Sequence, residues 1–366
     1  MFTVHALQAQ YGDCLLIQTG APNHHFVLVD GGPPRTYERS IAPLLEELIK
    51  PGGTIDLAVL SHIDNDHIVG LLDLFADLQR AQANDNRSAL SIRRLWHNSF
   101  KRSLDHDGQI MQRLQTLMAV SGIAGMASAQ SADAFLGIRE GGRLTSFALQ
   151  LSVPLNSEFS GQLITVSSGP AIRIGSMDIH ISGPTPEALD DLRTEWLEWL
   201  EEHEEQVMLN PRAIAAADRS IPNLSSIVML IACEGKTALL TGDSRGDHIE
   251  KGLAGAKLSK EGKLHVDLLK LPHHGSSRNI TEGFFERITA DRYLISANGR
   301  YNNPDFETLE MIVRAAAKAK RKIEIFATNE TTSTRKLVQK LKPAQYQYSL
   351  TVCPKNAHSI GVVLAS

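Results

Sequence analysis

Leu57-Ala58-Val59-Leu60-Ser61-His62-Ile63-Asp64-Asn65-Asp66-His67 is the stretch that decides the fold and the chemistry of this chain. Four apolar residues in a row read as a strand buried on both faces, because a strand with one wet face alternates. The run then meets Ser61 and four side chains able to bind a metal: His62, Asp64, Asp66 and His67. At about 100° per residue these four would scatter around a helix. They converge only from an irregular loop after the strand. H-E-x-x-H differs, since its two histidines share one helical face. Taken singly, each residue has plainer uses, and Asp66 could cap a helix starting at Ile68 to Gly70.

Two further segments repeat the pattern of a strand ending in a donor. Thr237 to Thr241 runs into Gly242-Asp243, and Val266 to Leu271 runs into Pro272-His273-His274-Gly275-Ser276. Three strand ends bearing imidazole and carboxylate supply what a two-metal site needs, nitrogen and oxygen donors on rigid supports.

The rest of the chain frames these segments. Phe2 to Gln8 alternates, and Cys14 to Gln18 and Phe26 to Asp30 are short apolar runs bounded by turn residues. Ile41, Leu44, Leu45, Leu48 and Ile49 recur at helical spacing before Pro51-Gly52-Gly53. The patterns predict a helix from Gly70 to Gln82, a strand from Ile92 to Trp96, and helices with a hairpin between Leu104 and Val166. They also predict a strand pair over Ala171 to Ser182, and strands at Ser226 to Ala232, Arg292 to Ser296, Ile323 to Ala327 and Ser359 to Leu364.

Composition is ordinary for a globular protein: 366 residues, 42% hydrophobic and 21% charged, with a formal net charge of −4. Whole-chain charge therefore gives no argument for a polyanion partner. Cys14, Cys233 and Cys353 form no CxxC pair and read as buried small apolar residues. The first residues lack a basic segment leading into an apolar one, and no apolar run reaches spanning length. A cytoplasmic protein with no membrane partner is expected. Without repeats or Gly/Ser linkers, 1–366 reads as one domain with an acidic insertion at 184–222 and a basic region at 314–342.

In the insertion, Leu189, Leu192, Trp196, Trp199 and Leu200 form a helical stripe among acidic residues from Glu187 to Glu205. It reads as a lid or homodimerisation helix burying Trp196 and Trp199, or as a polyanion mimic that a regulatory protein partner displaces. Between Arg314 and Lys342 nine basic residues stand against two acidic ones. Such a run fits a phosphate-backbone footprint or a solvated helix face.

His62-x-Asp64-x-Asp66-His67 resembles the H-x-H/D-x-D-H signature of the metallo-β-lactamase superfamily, in the variant of ComEC-type DNA-uptake hydrolase domains. Gly12-Asp13-Cys14-Leu15-Leu16-Ile17, Val29-Asp30-Gly31-Gly32, Leu240-Thr241-Gly242-Asp243 and Leu271-Pro272-His273-His274-Gly275-Ser276 are similar to further motifs of that family. So is the stretch from Asn223 to Val228. The resemblance implies a four-layer αββα sandwich with two mixed β-sheets and the site at their shared edge. It implies that His62 and Asp64 bind one metal, that Asp66, His67 and His273 bind a second, and that Asp243 bridges them. Asp30 would orient the ligand loop, with His274 and Asn223 as further supports. There are departures. The third histidine of many members has no counterpart near Asn223-Leu224-Ser225, and Y-G-H-P reads Tyr301-Asn302-Asn303-Pro304.

Asp64 in a position often held by histidine makes its site richer in oxygen, which favours Mn²⁺ or Mg²⁺ relative to an all-histidine zinc site. Two divalent ions, Zn²⁺ or Mn²⁺, are expected. Held about 4 Å apart, they would lower the pKa of a bridging hydroxide's parent water and clamp a phosphoryl group. Asp66 and Asp243 carry that chemistry. Ser276 is the first candidate to meet developing charge, with Ser277, Arg278, Asn298, Arg300 and Tyr301 beside it. Each is also a loop residue that can satisfy its own turn. His97 is a candidate leaving-group acid or extra ligand, against a purely structural role. The function expected is a metal-dependent phosphodiesterase, foremost a nuclease cleaving DNA. A small-molecule hydrolase (cyclic-nucleotide phosphodiesterase, lactonase or thioesterase-like) is the alternative, and a metal-dependent binding protein without turnover the third reading.

Overall fold

The computed structural model describes residues 1–20, 23–86, 89–121, 129–209, 225–281 and 283–366. The first part supplies β1 (Phe2–Leu7), β2 (Leu15–Thr19), β3 (His25–Val29), α1 (Ala42–Leu48), β4 (Thr54–Ile55), β5 (Leu57–Leu60), α2 (Asn65–Ala83), β6 (Ser91–Ile92) and β7 (Leu95–His97). The middle holds α3 (Phe100–Ser103), α4 (Gln109–Ser121), α5 (Ala129–Gln150), β8 (Ile172–Ile174), β9 (Met177–Gly183) and α6 (Pro186–Leu209). The last part runs β10 (Val228–Cys233), β11 (Lys236–Leu240), α7 (Gly246–Gly255), β12 (Leu264–Lys270), α8 (Phe284–Arg287) and β13 (Ile288–Ile295). It closes with α9 (Phe306–Lys318), β14 (Ile323–Ala327), α10 (Thr332–Lys340), α11 (Pro343–Tyr346), β15 (Tyr348–Val352) and β16 (Ser359–Ala365).

Two large mixed sheets result. One has the order β16-β1-β2-β3-β5-β7, the other β15-β14-β13-β12-β11-β10-β9-β8. In the first, β3, β5 and β7 run parallel. In the second, β11 through β15 run parallel. Parallel neighbours need crossovers, and α2, α7, α9 and α10 supply them. β5 sits between two partners and all four of its residues are buried, which is why it reads as a continuous apolar run.

Alternation along the strands sorts side chains between cores. Leu15, Ile17, Val27, Val29, Leu57 and Val59 of the first sheet share one apolar cluster with Ile179, Met229, Leu240 and Leu268 of the second. Their neighbours Leu16, Leu28 and Leu60 face the other way, against Leu45, Leu71 and Phe75 of α1 and α2. Leu239, Leu269 and Ile325 pack on Ile249, Leu253, Leu309 and Ile312 of α7 and α9.

Several elements differ from the pattern-based expectation. α2 starts at Asn65, with Asp64 as its N-cap residue, rather than at Gly70. The strand expected over Ile92 to Trp96 splits: Ile92 pairs with Ile55, and Leu95 to His97 join the first sheet. Among the described residues between Leu104 and Val166 there are helices but no hairpin. β15 escaped the reading because it is an edge strand with only Tyr348 fully buried. The apolar stripe of α6 is satisfied within the chain: Leu192, Trp196, Trp199 and Leu200 pack on Phe100, Ile110, Leu114 and Ile138. Arg113 of α4 holds Glu204 of α6 through two hydrogen bonds of 2.8 and 2.7 Å. Residues 210–224, and with them Asn223, lie outside the described residues. Among the described residues no helix is long and apolar enough to cross a membrane.

Candidate metal centre

The centre is built at strand ends. β3 and β5 are parallel neighbours, so Asp30, just past β3, lies beneath the loop that leaves β5. Its carboxylate accepts hydrogen bonds from the Ser61 backbone N–H and hydroxyl, both at 2.7 Å. It also takes the Nδ1 proton of His67 at 2.9 Å. The four ligand candidates divide between two conformations. His62 lies in the loop between β5 and α2 and Asp64 is extended at its end, while Asp66 and His67 occupy the first turn of α2. An acidic residue in a first turn and Asp at the N-cap both suit the positive helix end. The loop before β2 closes over that turn. The Asp13 backbone N–H donates to Asp66 O at 3.1 Å, and a Cβ on Gly12 would come within 1.9 Å of the same oxygen.

Four imidazoles converge on one carboxylate. The Nε2 atoms of His62, His67, His273 and His274 lie 3.9, 3.3, 3.7 and 3.4 Å from Asp243 oxygens. Asp66 Oδ2 is 3.3 Å from His274 Nε2, and Asp64 Oδ2 is 4.0 Å from His62 Nε2. His62, His67, His274 and Asp243 are buried, whereas 34% of the His273 side chain is exposed.

The ring-nitrogen partners leave this arrangement able to bind a metal. His274 Nδ1 donates to the carbonyl oxygen of Ser296 at 3.0 Å, and His67 Nδ1 is committed to Asp30. A neutral ring so held points a lone pair from Nε2 at Asp243, and two lone pairs repel unless a proton or cation lies between. Nε2 of His62, His67 and His274, and Oδ1 of Asp243, have no hydrogen-bond partner among the described residues. Burial opposes charge on His67, but Asp243, Asp30 and Asp66 outweigh it and hold that imidazole well above its ordinary pKa. His274 is likewise raised against burial by Asp243 and Asp13. Asp243 stays well below the usual carboxylate range although burial acts to raise it, because His274, His67 and His273 surround it. Burial pushes His62 down to about 3, which leaves its Nε2 lone pair available. The pocket thus demands buried positive charge, and divalent cations suit it. Among the described residues four groups have donor atoms within 4.8 Å of one another: His62 with His67 and Asp243, Asp66 with His67 and His274, Asp13 with Asp243 and His274, and Asp13 with Asp30 and His67. Neither His273 nor Asp64 falls in such a set.

The other sequence candidates are spread out. Ser276 is buried at the end of the His273–Gly275 turn, and its N–H donates to His273 O at 2.9 Å. His97 is buried beside α5, where a Cβ on Gly141 would lie 3.5 Å from its Nε2. Neither His97 ring nitrogen has a hydrogen-bond partner among the described residues, so the structure does not join it to the cluster. The basic run is largely engaged: Arg314 pairs with Glu310, Lys318 with Glu286 and Arg335 with Glu330. Lys336 and Lys340 lie over the Phe306 ring at 4.0 and 5.5 Å.

Two contributors, Ser226 and Lys270, were not legible in the sequence. The Ser226 hydroxyl accepts from the Asp243 N–H at 3.1 Å and lies 3.2 Å from His62 Nδ1, one residue beyond the triplet where a third histidine was sought. Lys270 is fully buried and paired with Asp13, whose other oxygen is 3.3 Å from His274 Nδ1. Lys270 and then His274 overcome burial to keep the Asp13 carboxyl well below its usual range. A lysine inside the apolar run Leu268-Leu269-Lys270-Leu271 was the available signal.

Residues 8–84 match the model of the metallo-beta-lactamase superfamily. The chain is 30% identical over 108 residues to "ComE operon protein 3" of Bacillus subtilis, covering 29% of this chain and 13% of that protein. It is 28% identical over 101 residues to "Microtubule-associated protein 1A" of Mus musculus, covering 27% of this chain and 4% of that protein. The chain therefore matches only a small part of either relative's length.

Proposed function

We propose, from the match of residues 8–84 to the metallo-beta-lactamase superfamily model, that the chain is a dinuclear metal-dependent phosphodiesterase acting on DNA. The observation that carries this is the convergence of buried, tautomer-locked imidazoles on Asp243, with Asp64 and Asp66 adding oxygen donors. An oxygen-rich site suits hard divalent ions such as Mn²⁺, with Zn²⁺ also accommodated. In this reading His62, Asp64 and Asp243 hold one ion, and Asp66, His67, His274 and Asp243 hold the other. When bound, such a pair supplies an acidified water and neutralises phosphoryl charge. The protein's own groups do the rest. Asp30 and the Ser296 carbonyl fix the tautomers of His67 and His274. Ser61 and Ser226 fix the His62 ring. His273 Nε2, partly open to solvent and 3.7 Å from Asp243, is placed to pass a proton at the mouth.

The same reading takes the two sheets and their flanking helices as a four-layer αββα sandwich, with 1–366 as one domain working in the cytoplasm. The shared core between the sheets and the helix-covered outer cores support it. Three free buried cysteines suit a reducing compartment. The DNA preference is supported by the motif resemblance and the oxygen-rich donors; of the nine cations in the basic run, Arg314, Lys318 and Arg335 are held in ion pairs.

Incubation of plasmid and single-stranded DNA with and without Mn²⁺ tests the reading. Metal-dependent cleavage is expected, falling roughly 100-fold or more in Asp243→Ala and His67→Ala. Intact DNA alongside metal-dependent hydrolysis of bis(4-nitrophenyl) phosphate would transfer the site to small substrates. Inertness toward both would end the phosphodiesterase reading.

A further inference from the structure

Two loops border the metal centre, and both carry aromatic side chains. Tyr11 precedes Gly12 and Asp13, the residues packed on Asp66. The loop after β13 is tied to the metal-binding turn. Asn303 Nδ2 donates to His273 O at 3.5 Å, and the Asp305 N–H donates to Gly275 O at 3.0 Å. At the tip, the Arg300 guanidinium lies 4.2 Å from the Tyr11 ring centre and 5.0 Å from that of Tyr301. The two tyrosine rings meet edge to face at 5.8 Å.

The tip is fixed in a shape that favours display over burial. The Gly299 N–H donates to Asn303 O at 3.0 Å, and the Arg300 N–H to Asn298 Oδ1 at 3.0 Å. Tyr301 has φ 60°, a left-handed conformation that costs a bulky residue energy and tends to mark function. Tyr301 is 65% exposed, the one aromatic among the exposed large apolar residues of the described part of the chain. Arg300 forms no ion pair among the described residues, in contrast to Arg314 and Arg335.

We propose that Tyr301, backed by Arg300 and Tyr11, is a stacking subsite for an unpaired nucleobase beside the metal centre, with the Arg300 guanidinium facing the adjoining phosphate. The proposal rests on the phosphodiesterase reading and deepens it. An exposed ring gives a base a face to stack on, and stacking tolerates any base. Arginine held flat against aromatics keeps its donors directed outward for a phosphate oxygen. Bases inside a duplex are already stacked, so the subsite selects single strands, overhangs and frayed ends.

The test is equilibrium binding of the full chain, with Ca²⁺ in place of Mn²⁺, to a fluorescein-labelled strand of ten thymidines and to an abasic strand of equal length and charge. Wild type is expected to prefer the thymidine strand by about 10-fold. Tyr301→Ala should lose that preference with its abasic binding unchanged, and Tyr301→Phe should keep it. Unchanged melting of both variants would show that neither is misfolded. Equal or undetectable binding of the two strands by wild type, or a preference retained in Tyr301→Ala, would overturn the subsite. A preference without cleavage of DNA or of bis(4-nitrophenyl) phosphate in Mn²⁺ would instead overturn the phosphodiesterase reading and leave the subsite standing.

Discussion

His273 and His274 show where residue-level reading stops. Both have left-handed backbone, with φ 48° and 55°, so the turn after β12 follows neither strand nor helix period. Periodicity cannot choose which of two adjacent rings faces inward there. The resemblance pointed to His273, whereas the structure buries His274 within 3.4 Å of both Asp66 and Asp243 and leaves His273 at the mouth. Loss of a ligand costs more metal affinity than loss of a neighbour. His274→Ala is therefore expected to weaken Mn²⁺ binding by roughly 100-fold, and His273→Ala by roughly 10-fold or less, in a calorimetric titration. The reverse order would return His273 to the ligand set. His62, Asp66, His67 and Asp243 were legible because each follows a recognisable apolar strand. Ser226 and Lys270 were not, because a serine or a buried lysine acquires its role only from partners distant in sequence.

Among elements, β5 and α2 were plain in the sequence, yet the start of α2 was placed too late because its first turn is made of the ligands themselves. α5 was the least legible, and it packs directly behind the metal loop. A Cβ on Gly137 would come within 2.6 Å of Ile63 O, so only glycine permits that approach. Under α5, burial alone pushes His97 down to about 4. Its ring is therefore neutral when folded but takes a proton when unfolded at about pH 6.5. The stabilising contribution is complete above pH 6.5 and is lost as pH falls toward 4, on the order of 3 kcal/mol in all. Urea unfolding of wild type and His97→Leu at pH 7 and pH 4.5 checks this. Wild type should lose more stability across that interval than the variant by an amount of this order. Equal losses would mean that His97 is not held neutral.

At the scale of the molecule, two mixed sheets share a core, and the candidate ligands are gathered from the ends of β5, β11 and β12, with Asp30 supporting them from the end of β3. The strand-end motifs predicted this gathering, because parallel strands feeding crossover helices leave their carboxyl ends side by side. The pairing of sheet with sheet was less legible, since edge strands such as β15 carry mixed exposure. The pocket packs Asp13, Asp30 and Asp243 with their histidine partners away from water, and its donor groups could hold divalent cations. The decisive measurement is Mn²⁺ stoichiometry, followed by electron paramagnetic resonance during titration of metal-stripped protein. Two ions per chain are expected, spin-coupled through Asp243, with the coupling abolished in Asp243→Ala. Wild-type protein that takes up neither Mn²⁺ nor Zn²⁺, or an Asp243→Ala variant that still holds a coupled pair, would refute the dinuclear centre.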